Sequence, residues 1–362
     1  MASTSPVLPR WTIAAPLLAW IVLGAAYALP GNGLLTAVAA LALAGSVFAG
    51  VHHAEVVAHR VGEPFGTLVL AVAVTVIEVA LIVSVMLSAG PEKAGLARDT
   101  VFAAVMIVCN GIVGICLLVG GLRHREQDFQ LRGANAALAV LASLSVLSLV
   151  MPNYTSVKLG PALSDSQLAF AGVSSLVLYG VFVFVQTVRH RDYFLADAHA
   201  ANEDAHAAPP SSRVALTSGA LLVVSLVAVV LLAKVLSPVV ERAVLEAGAP
   251  EAVVGIVIAA LVLLPEGLAA VRAARADRLQ TSLNLALGSA LASIGLTIPT
   301  VALVFIWTGR PLVLGIDGKD TVLLTLTLLI SAMTLGTGRT TILQGAVHLS
   351  LFAAYLFLSF AP

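Results

Sequence analysis

Long apolar runs, separated by short polar or Pro/Gly-rich stretches, recur along the whole chain. A helix needs about 20 apolar residues to cross a bilayer, whereas a transmembrane β-strand shows about ten alternating residues. The continuous runs therefore predict an all-α, polytopic membrane protein. Its eleven predicted transmembrane helices lie near residues 11-30, 33-51, 65-90, 99-121, 134-151, 166-187, 213-236, 251-272, 282-308, 318-336 and 340-360.

The composition indicates a chain that is embedded in lipid. Hydrophobic residues make up 59% of the 362 residues and charged residues 10%, against about 25% charged in a soluble domain. The 19 basic and 19 acidic residues cancel, so nucleic acid would find no basic stripe to bind. Cys109 and Cys116 lie in one apolar run without zinc-ligand spacing, and we interpret them as small core residues. No cofactor is expected.

Basic residues are distributed unequally between the two sides of the membrane. If all eleven runs cross, twelve of the 19 Lys and Arg residues lie on the amino-terminal side and seven on the other. The positive-inside rule then predicts a cell (inner) membrane protein with a cytoplasmic amino terminus and an external carboxyl terminus. The first run could also be a signal peptide, because Ala26-Tyr27-Ala28 resembles a cleavage site, but its length favours a helix.

Two acidic residues, Glu78 and Glu266, fall inside predicted transmembrane helices, whereas the other 17 lie in loops or at helix ends. An ionised group at the middle of a bilayer costs from about 2.5 kcal/mol upward, so such a residue indicates a functional site. Glu78 is flanked by apolar residues on both sides. The alternatives are a protonated Glu78 that hydrogen-bonds a neighbouring helix, and a Glu266 carboxylate that extends to the membrane interface.

Similar motifs follow the two glutamates. The pattern Asn-x-x-x-Gly begins at Asn110, downstream of Glu78, and again at Asn284, downstream of Glu266. In a helix this spacing puts Asn and Gly on one face. Fewer residues separate Glu266 from Asn284 than separate Glu78 from Asn110. We assign this difference in spacing to the loops and the ends of the helices. We interpret the echo as an internal repeat.

The repeat divides the chain into an extra first helix and two halves. The expected domains are the extra helix at 11-30, a first five-helix repeat at 33-187, a charged cytoplasmic linker at 188-212 and a second five-helix repeat at 213-360. Because five is odd, equivalent helices run in opposite directions. Inverted repeats of this kind build the midplane sites that secondary transporters expose alternately to either side of the membrane.

The polar side chains of the predicted site supply only oxygen ligands. Such ligands suit hard cations, Ca²⁺ and Na⁺ among them, whereas soft metals need Cys, Met or His. Burial favours the protonated form of an empty carboxyl and a bound cation favours the ionised form, so one divalent cation would displace about two protons. This competition predicts cation/proton antiport. The predicted ligands are Glu78, Glu266, Asn110, Asn284, Thr75, Ser289 and Ser293, with backbone carbonyls freed by Pro265.

The segments around both glutamates resemble a known family. They are Gly62-Glu63-Pro64-Phe65-Gly66-Thr67-Leu68 leading into Val74-Thr75-Val76-Ile77-Glu78-Val79, and Leu264-Pro265-Glu266-Gly267 followed by Asn284-Leu285-Ala286-Leu287-Gly288-Ser289-Ala290. They are similar to the calcium/cation antiporter superfamily, most closely to its bacterial calcium/proton and sodium-potassium/proton antiporter branch. The resemblance covers nearly the whole chain. It implies cation coordination by the glutamate of each repeat together with Asn110 and Asn284.

Two departures from the family pattern leave the transported ion open. Val74-Thr75-Val76-Ile77 replaces the polar residues that often precede the first glutamate, and Ala290 stands where Asn often follows Gly-Ser. Ca²⁺/H⁺ exchange is the first expectation, and Na⁺ or K⁺/H⁺ exchange is the alternative. A passive channel is a rival class, but channels favour rings of identical subunits around one filter. An enzyme is not expected, because no pair of nucleophile and base falls within the membrane.

Histidines outside the predicted site have two expected roles. His52, Glu55 and His59 share one helical face at the cytoplasmic entrance to the Glu78 helix. They could form a pH sensor, a cation funnel or an interfacial polar face. His348, on the last helix, is expected to have its hydrogen bonds satisfied inside the bundle.

Overall fold

The computed structural model of the chain describes residues 8–29, 31–62, 65–88, 91–157, 160–195, 209–250 and 252–361. The described residues form a two-residue antiparallel ladder of β1 (Gln127–Asp128) and β2 (Arg339–Thr340), and are otherwise mostly helical, which confirms the all-α prediction. The α-helices are α1 (Arg10–Ala28), α2 (Gly33–Val61), α3 (Phe65–Ser88), α4 (Leu96–Met106), α5 (Val113–His124), α6 (Leu131–Ser145), α7 (Asp165–Phe184), α8 (Ser212–Glu246), α9 (Ala252–Arg275), α10 (Leu279–Thr308), α11 (Gly318–Leu335) and α12 (Ile342–Phe360).

Eleven helical segments among the described residues are long and apolar enough to cross a membrane, which confirms the predicted number. Twelve α-helices give eleven segments because a π-helical segment, Ile107–Ile112, joins α4 and α5 into one span, Lys93–His124. Two further π-helical segments, Val146–Val150 and Val185–Arg189, extend α6 and α7.

Helix α2 is longer than its apolar run predicts. The run ends near residue 51, but the helix continues through His52, Glu55 and His59 to Val61. It ends at Gly62, whose φ of 75° lies in the left-handed region, where glycine has no steric penalty. The backbone conformation at Gly62, rather than the fall in hydrophobicity, therefore sets the end of this helix.

Unit 1, residues 1–90 and 207–248, contains α1, α2, α3 and α8. Helix α2 packs against the other three, and its Gly50 lies against Ser225 of α8. Helix α1 carries Pro16, which has no N–H to donate to the carbonyl of Thr12. His53 Nε2 of α2 lies 3.0 Å from that carbonyl oxygen and fastens α1 to α2.

Unit 2, residues 91–206 and 249–362, contains α4 to α7 and α9 to α12. Helix α10 contacts α4, α5, α6, α7 and α9. Glycines allow the closest contacts between helices in this unit. A Cβ added at Gly121 of α5 would lie 2.7 Å from the backbone nitrogen of Ile342 in α12, and one at Gly255 of α9 would lie 2.9 Å from the backbone of Asp99 in α4. Larger residues there would force these helices apart.

The two compact units do not coincide with the two predicted halves. Unit 1 takes α2 and α3 from the first half and α8 from the second, and unit 2 takes the remaining helices of both. The internal repeat stays a prediction. Of the predicted linker at 188-212, residues 196–208 lie outside the described residues, as do Glu63 and Pro64 of the first motif.

The membrane topology can be tested with cysteines in exposed segments. Ser211 precedes α8 and Ser156 lies between α6 and α7, and both are exposed, whereas the native Cys109 and Cys116 are buried. We expect a membrane-impermeant thiol reagent to label Ser211→Cys only from the cytoplasmic face and Ser156→Cys only from the external face. Intact cells and inside-out vesicles give the comparison. Labelling of Ser211→Cys in intact cells would overturn the predicted orientation.

Candidate functional site

Glu78 lies in unit 1, near the middle of the candidate span Val69–Met86. Glu78 is only 3% exposed, and the nearby residues Ile77, Leu81 and Ile82 are also buried. Thr75 is buried three residues earlier, on the same helical face. Unit 1 therefore holds a carboxyl and a hydroxyl side by side in an apolar stretch.

Glu266 lies in unit 2, on α9, and is half-buried. It directly follows Pro265, which stands inside the helix and cannot donate to the carbonyl of Leu261. The helix continues well beyond Glu266, to Arg275, so this carboxyl is farther from the helix end than its apolar run predicts. A Cβ added at the adjacent Gly267 would lie 3.1 Å from Ile112, so α9 packs closely on the π-helical segment.

Asn110 lies on that π-helical segment and belongs to a buried polar network. Its Nδ2 donates to Thr327 Oγ1 of α11 at 2.8 Å, and its Oδ1 lies 3.3 Å from Nδ1 of His348 on α12. His348 Nε2 lies 3.1 Å from Thr334 Oγ1. The expectation that His348 is satisfied inside the bundle is confirmed. Sequence analysis missed Thr327 and Thr334, because no local sequence spacing relates residues so far along the chain to Asn110.

Asn284 has a different environment from Asn110. It lies close to the start of α10, whereas Asn110 lies near the middle of the span Lys93–His124, so the two asparagines do not occupy equivalent positions. Asn284 Nδ2 donates to the carbonyl of Phe194 at 2.5 Å, and its Oδ1 accepts from Gln280 Nε2 at 2.9 Å. The Nδ2 group of Asn284 thus holds the segment that follows α7 against α10, and its Oδ1 bond lies within α10.

The two predicted serines lie deeper in α10 than Asn284. Ser293 is buried near the middle of the helix, and Ser289, one turn earlier, is half-buried. Ser293 therefore lies near the middle of its helix, as Asn110 does in its own span, whereas Asn284 does not. Among the described residues, no three His, Cys, Asp or Glu side chains form a group that could hold a metal ion. The candidate ligands are single carboxyls accompanied by neutral oxygen groups.

The predicted polar face of α2 forms part of a cavity in unit 1. His52, Glu55 and His59 line a cavity of about 420 Å³ together with residues Leu8, Pro9, Val56, Pro210 and Val214. His52 Nδ1 lies 3.9 Å from the Glu55 carboxylate. The proposed roles of this face as a pH sensor or cation funnel stay predictions.

Comparison with a known protein family identifies the chain as a transporter. The sequence model of the sodium/calcium exchanger protein family matches the chain twice, at residues 32–188 and 217–361. The two matched segments have nearly the boundaries of the predicted halves. Transport rather than catalysis, as expected from the sequence, is confirmed by this family.

Individual relatives and solved structures match over nearly the whole chain. The Sinorhizobium fredii protein y4hA, described as an ionic transporter with no ion named, is 53% identical over 98% of this chain and 97% of its own length. The sodium-potassium/proton antiporter ChaA of Escherichia coli is 36% identical over 96% of this chain and 95% of its own. The structure of the Ca²⁺/H⁺ antiporter YfkE superposes with a TM-score of 0.74 at 17% identity, covering 98% of this chain and 99% of that chain, which shows a shared fold.

The two possible roles of Asn284, ligand and anchor, predict different effects of Asn284→Ala. We expect the anchoring role to dominate, because both polar groups of its amide are already hydrogen-bonded. The variant should keep the cation KM within about twofold of the unmodified protein and lose about 1 kcal/mol of stability per hydrogen bond. Cation-driven proton flux and thermal unfolding in detergent measure the two quantities. A tenfold rise in KM with unchanged unfolding would restore the ligand role.

Proposed function

The chain belongs to the sodium/calcium exchanger family, and we propose that it is a secondary active cation/proton antiporter with Ca²⁺ as its first substrate. The observation that carries the proposal is the buried carboxyl of Glu78 in the middle of an apolar span. A permanently charged group at this depth in the membrane would cost about 2.5 kcal/mol or more. A carboxyl that alternately binds a proton and a cation is neutralised in both states.

Exchange then follows from competition for the carboxyls of Glu78 and Glu266. An empty, buried carboxyl binds a proton, and a cation that takes its place restores the ionised form. Two carboxyls match the two charges of Ca²⁺, so one Ca²⁺ would replace two protons. The two separate family matches, 32–188 and 217–361, support an internal repeat with one glutamate in each half, which is the arrangement that alternating access uses.

Neutral oxygen groups would complete the coordination of the cation. Thr75 accompanies Glu78 on α3, and Ser289 and Ser293 are one turn apart on α10. Ca²⁺ takes six to eight oxygen ligands at about 2.3–2.6 Å, so two carboxylates alone do not satisfy it. Asn110 and the carbonyl of Leu261, which Pro265 leaves without a helical donor, are further candidates.

Exchange of Na⁺ or K⁺ for protons is the second candidate function. It is favoured by the 36% identity to the sodium-potassium/proton antiporter of Escherichia coli over 96% of the chain. The same oxygen ligands suit Na⁺, and a monovalent ion would displace one proton rather than two. A passive channel would conduct the cation without any proton counterflow. The proposed location is the cell (inner) membrane, and the expected partners are inorganic cations, protons and lipid.

Substitution of the two glutamates tests the central proposal. In inside-out vesicles with a preformed pH gradient, Ca²⁺, Na⁺ and K⁺ are added separately and the proton flux is followed by a pH-sensitive dye. Glu78→Gln and Glu266→Gln keep the size of the side chain but remove the exchangeable proton, so each should abolish the flux. Glu126→Gln, at an exposed position outside the helices, is the matched control and should keep it. Exchange by Glu78→Gln at the unmodified rate and pH dependence would make Glu78 a structural carboxyl.

The pH dependence of cation binding distinguishes the two candidate ions. Raising the pH lowers the proton concentration, so the competitor is removed and the apparent cation affinity rises. In the range where the carboxyls are protonated, we expect affinity to increase about 100-fold per pH unit for a cation that displaces two protons and about tenfold for one that displaces one. The KM of proton flux, measured over a series of pH values, gives this slope. An affinity independent of pH would contradict competition altogether.

A further inference from the structure

The polar network around Asn110 depends on a single histidine of the last helix. We propose that His348 is a positioning residue for transport, which holds Asn110 and the π-helical segment in the conformation that binds the cation. This inference rests on the proposed role of Asn110 as a neutral ligand. His348 and Asn110 are both completely buried, on elements that lie far apart in sequence.

Hydrogen bonding couples the tautomer of His348 to the orientation of the Asn110 amide. Nδ1 of His348 lies 3.3 Å from Asn110 Oδ1, which is an acceptor, so in this orientation Nδ1 carries the proton. Nε2 then accepts from the hydroxyl of Thr334, 3.1 Å away. On the other side, Asn110 Nδ2 donates to Thr327 Oγ1. With Nδ1 protonated, a flipped amide would place two N–H groups against each other, and Oδ1 in its present position keeps a second lone pair for a cation.

The π-helical segment interrupts the backbone hydrogen bonding beside Asn110. Val113 N–H bonds to the carbonyl of Val108, five residues back, instead of the carbonyl of Cys109, its α-helical partner. His348 contacts the segment through Asn110, the residue that directly follows Cys109. Segments of this kind are frequent at functional sites.

Gly114 allows His348 to approach Asn110 closely. A Cβ added at Gly114 would lie 3.1 Å from His348 Cβ and 3.0 Å from the side chain of Leu349. The Asn-x-x-x-Gly spacing of the sequence thus places the amide and the gap for α12 on one face of the helix. On α9, Gly267 packs against Ile112 of the same π-helical segment, next to Glu266. A shift of this segment would therefore reach both Asn110 and the contact beside Glu266.

Substitutions at His348 separate a positioning role from a structural one. His348→Leu removes the donor to Asn110, and we expect the KM of the cation that drives proton flux to rise about 3- to 12-fold, with the maximal rate within about twofold. His348→Asn places an amide nitrogen near the position of Nδ1 and should restore the affinity. His348→Gln places its amide nitrogen near Nε2 and should not. Ser359→Ala, which removes another buried hydroxyl of α12 that bonds the Tyr355 carbonyl, is the matched control.

Double substitution shows whether His348 acts through Asn110. If it does, His348→Leu adds nothing to the KM of Asn110→Ala. Additive effects of the two changes, or an unchanged KM in folded His348→Leu, would overturn the proposal. Where His348→Leu does not fold, equal KM values for His348→Asn and His348→Gln would overturn it. If Asn110→Ala has the KM of the unmodified protein, Asn110 is not a ligand, and this inference fails with that role. If Asn110→Ala raises the KM but the His348 variants have normal KM values, only this inference fails.

Discussion

The structure depends on one constraint: inside hydrocarbon, each backbone polar group of the chain has to find its partner within the protein. Helices satisfy the backbone internally, so breaks in the helical pattern are where side chains are needed. Pro16 interrupts α1, and His53 reaches the carbonyl of Thr12 that the proline leaves. The π-helical segment interrupts the α4–α5 span, and His348 contacts Asn110 within it. In both cases a buried histidine of another helix contacts the irregular segment.

Close packing of the helices makes these histidine contacts possible. Lipid chains are as apolar as leucine, so helices associate through tight contact and hydrogen bonds rather than through exclusion of water. Gly114, Gly121 and Gly345 bring α5 and α12 so near that a Cβ added at Gly121 or Gly345 would clash and one at Gly114 would be tightly packed. That proximity puts His348 within reach of Asn110. The polar network and the glycine-lined contact in unit 2 are thus parts of one arrangement.

Features that depend on local composition could be predicted from the sequence. The eleven spans follow from apolar runs, and the two carboxyls stand out because the other acidic residues lie between the predicted runs or at their ends. Prediction was less successful where a boundary or a partner is set by tertiary structure. The apolar run of α2 ends near residue 51, but the helix continues through its polar residues to Val61. The Asn-x-x-x-Gly echo suggested equivalent asparagines, but Asn284 lies near the start of α10, where it holds the carbonyl of Phe194. Only the fold reveals that partner.

The buried polar groups divide into those that keep their charge state and those that can change it. Asn110, Thr327, Thr334 and His348 form a neutral network whose donors and acceptors match one another. Such a network resists rearrangement, because each unpaired group would cost about 1–3 kcal/mol. A buried carboxyl such as Glu78 has two neutral states available, protonated or cation-bound, and the energetic difference between them varies with pH and with the ion. A transporter needs both kinds of group. Under the proposed function, the fixed network would hold the geometry and the carboxyls would carry the exchange.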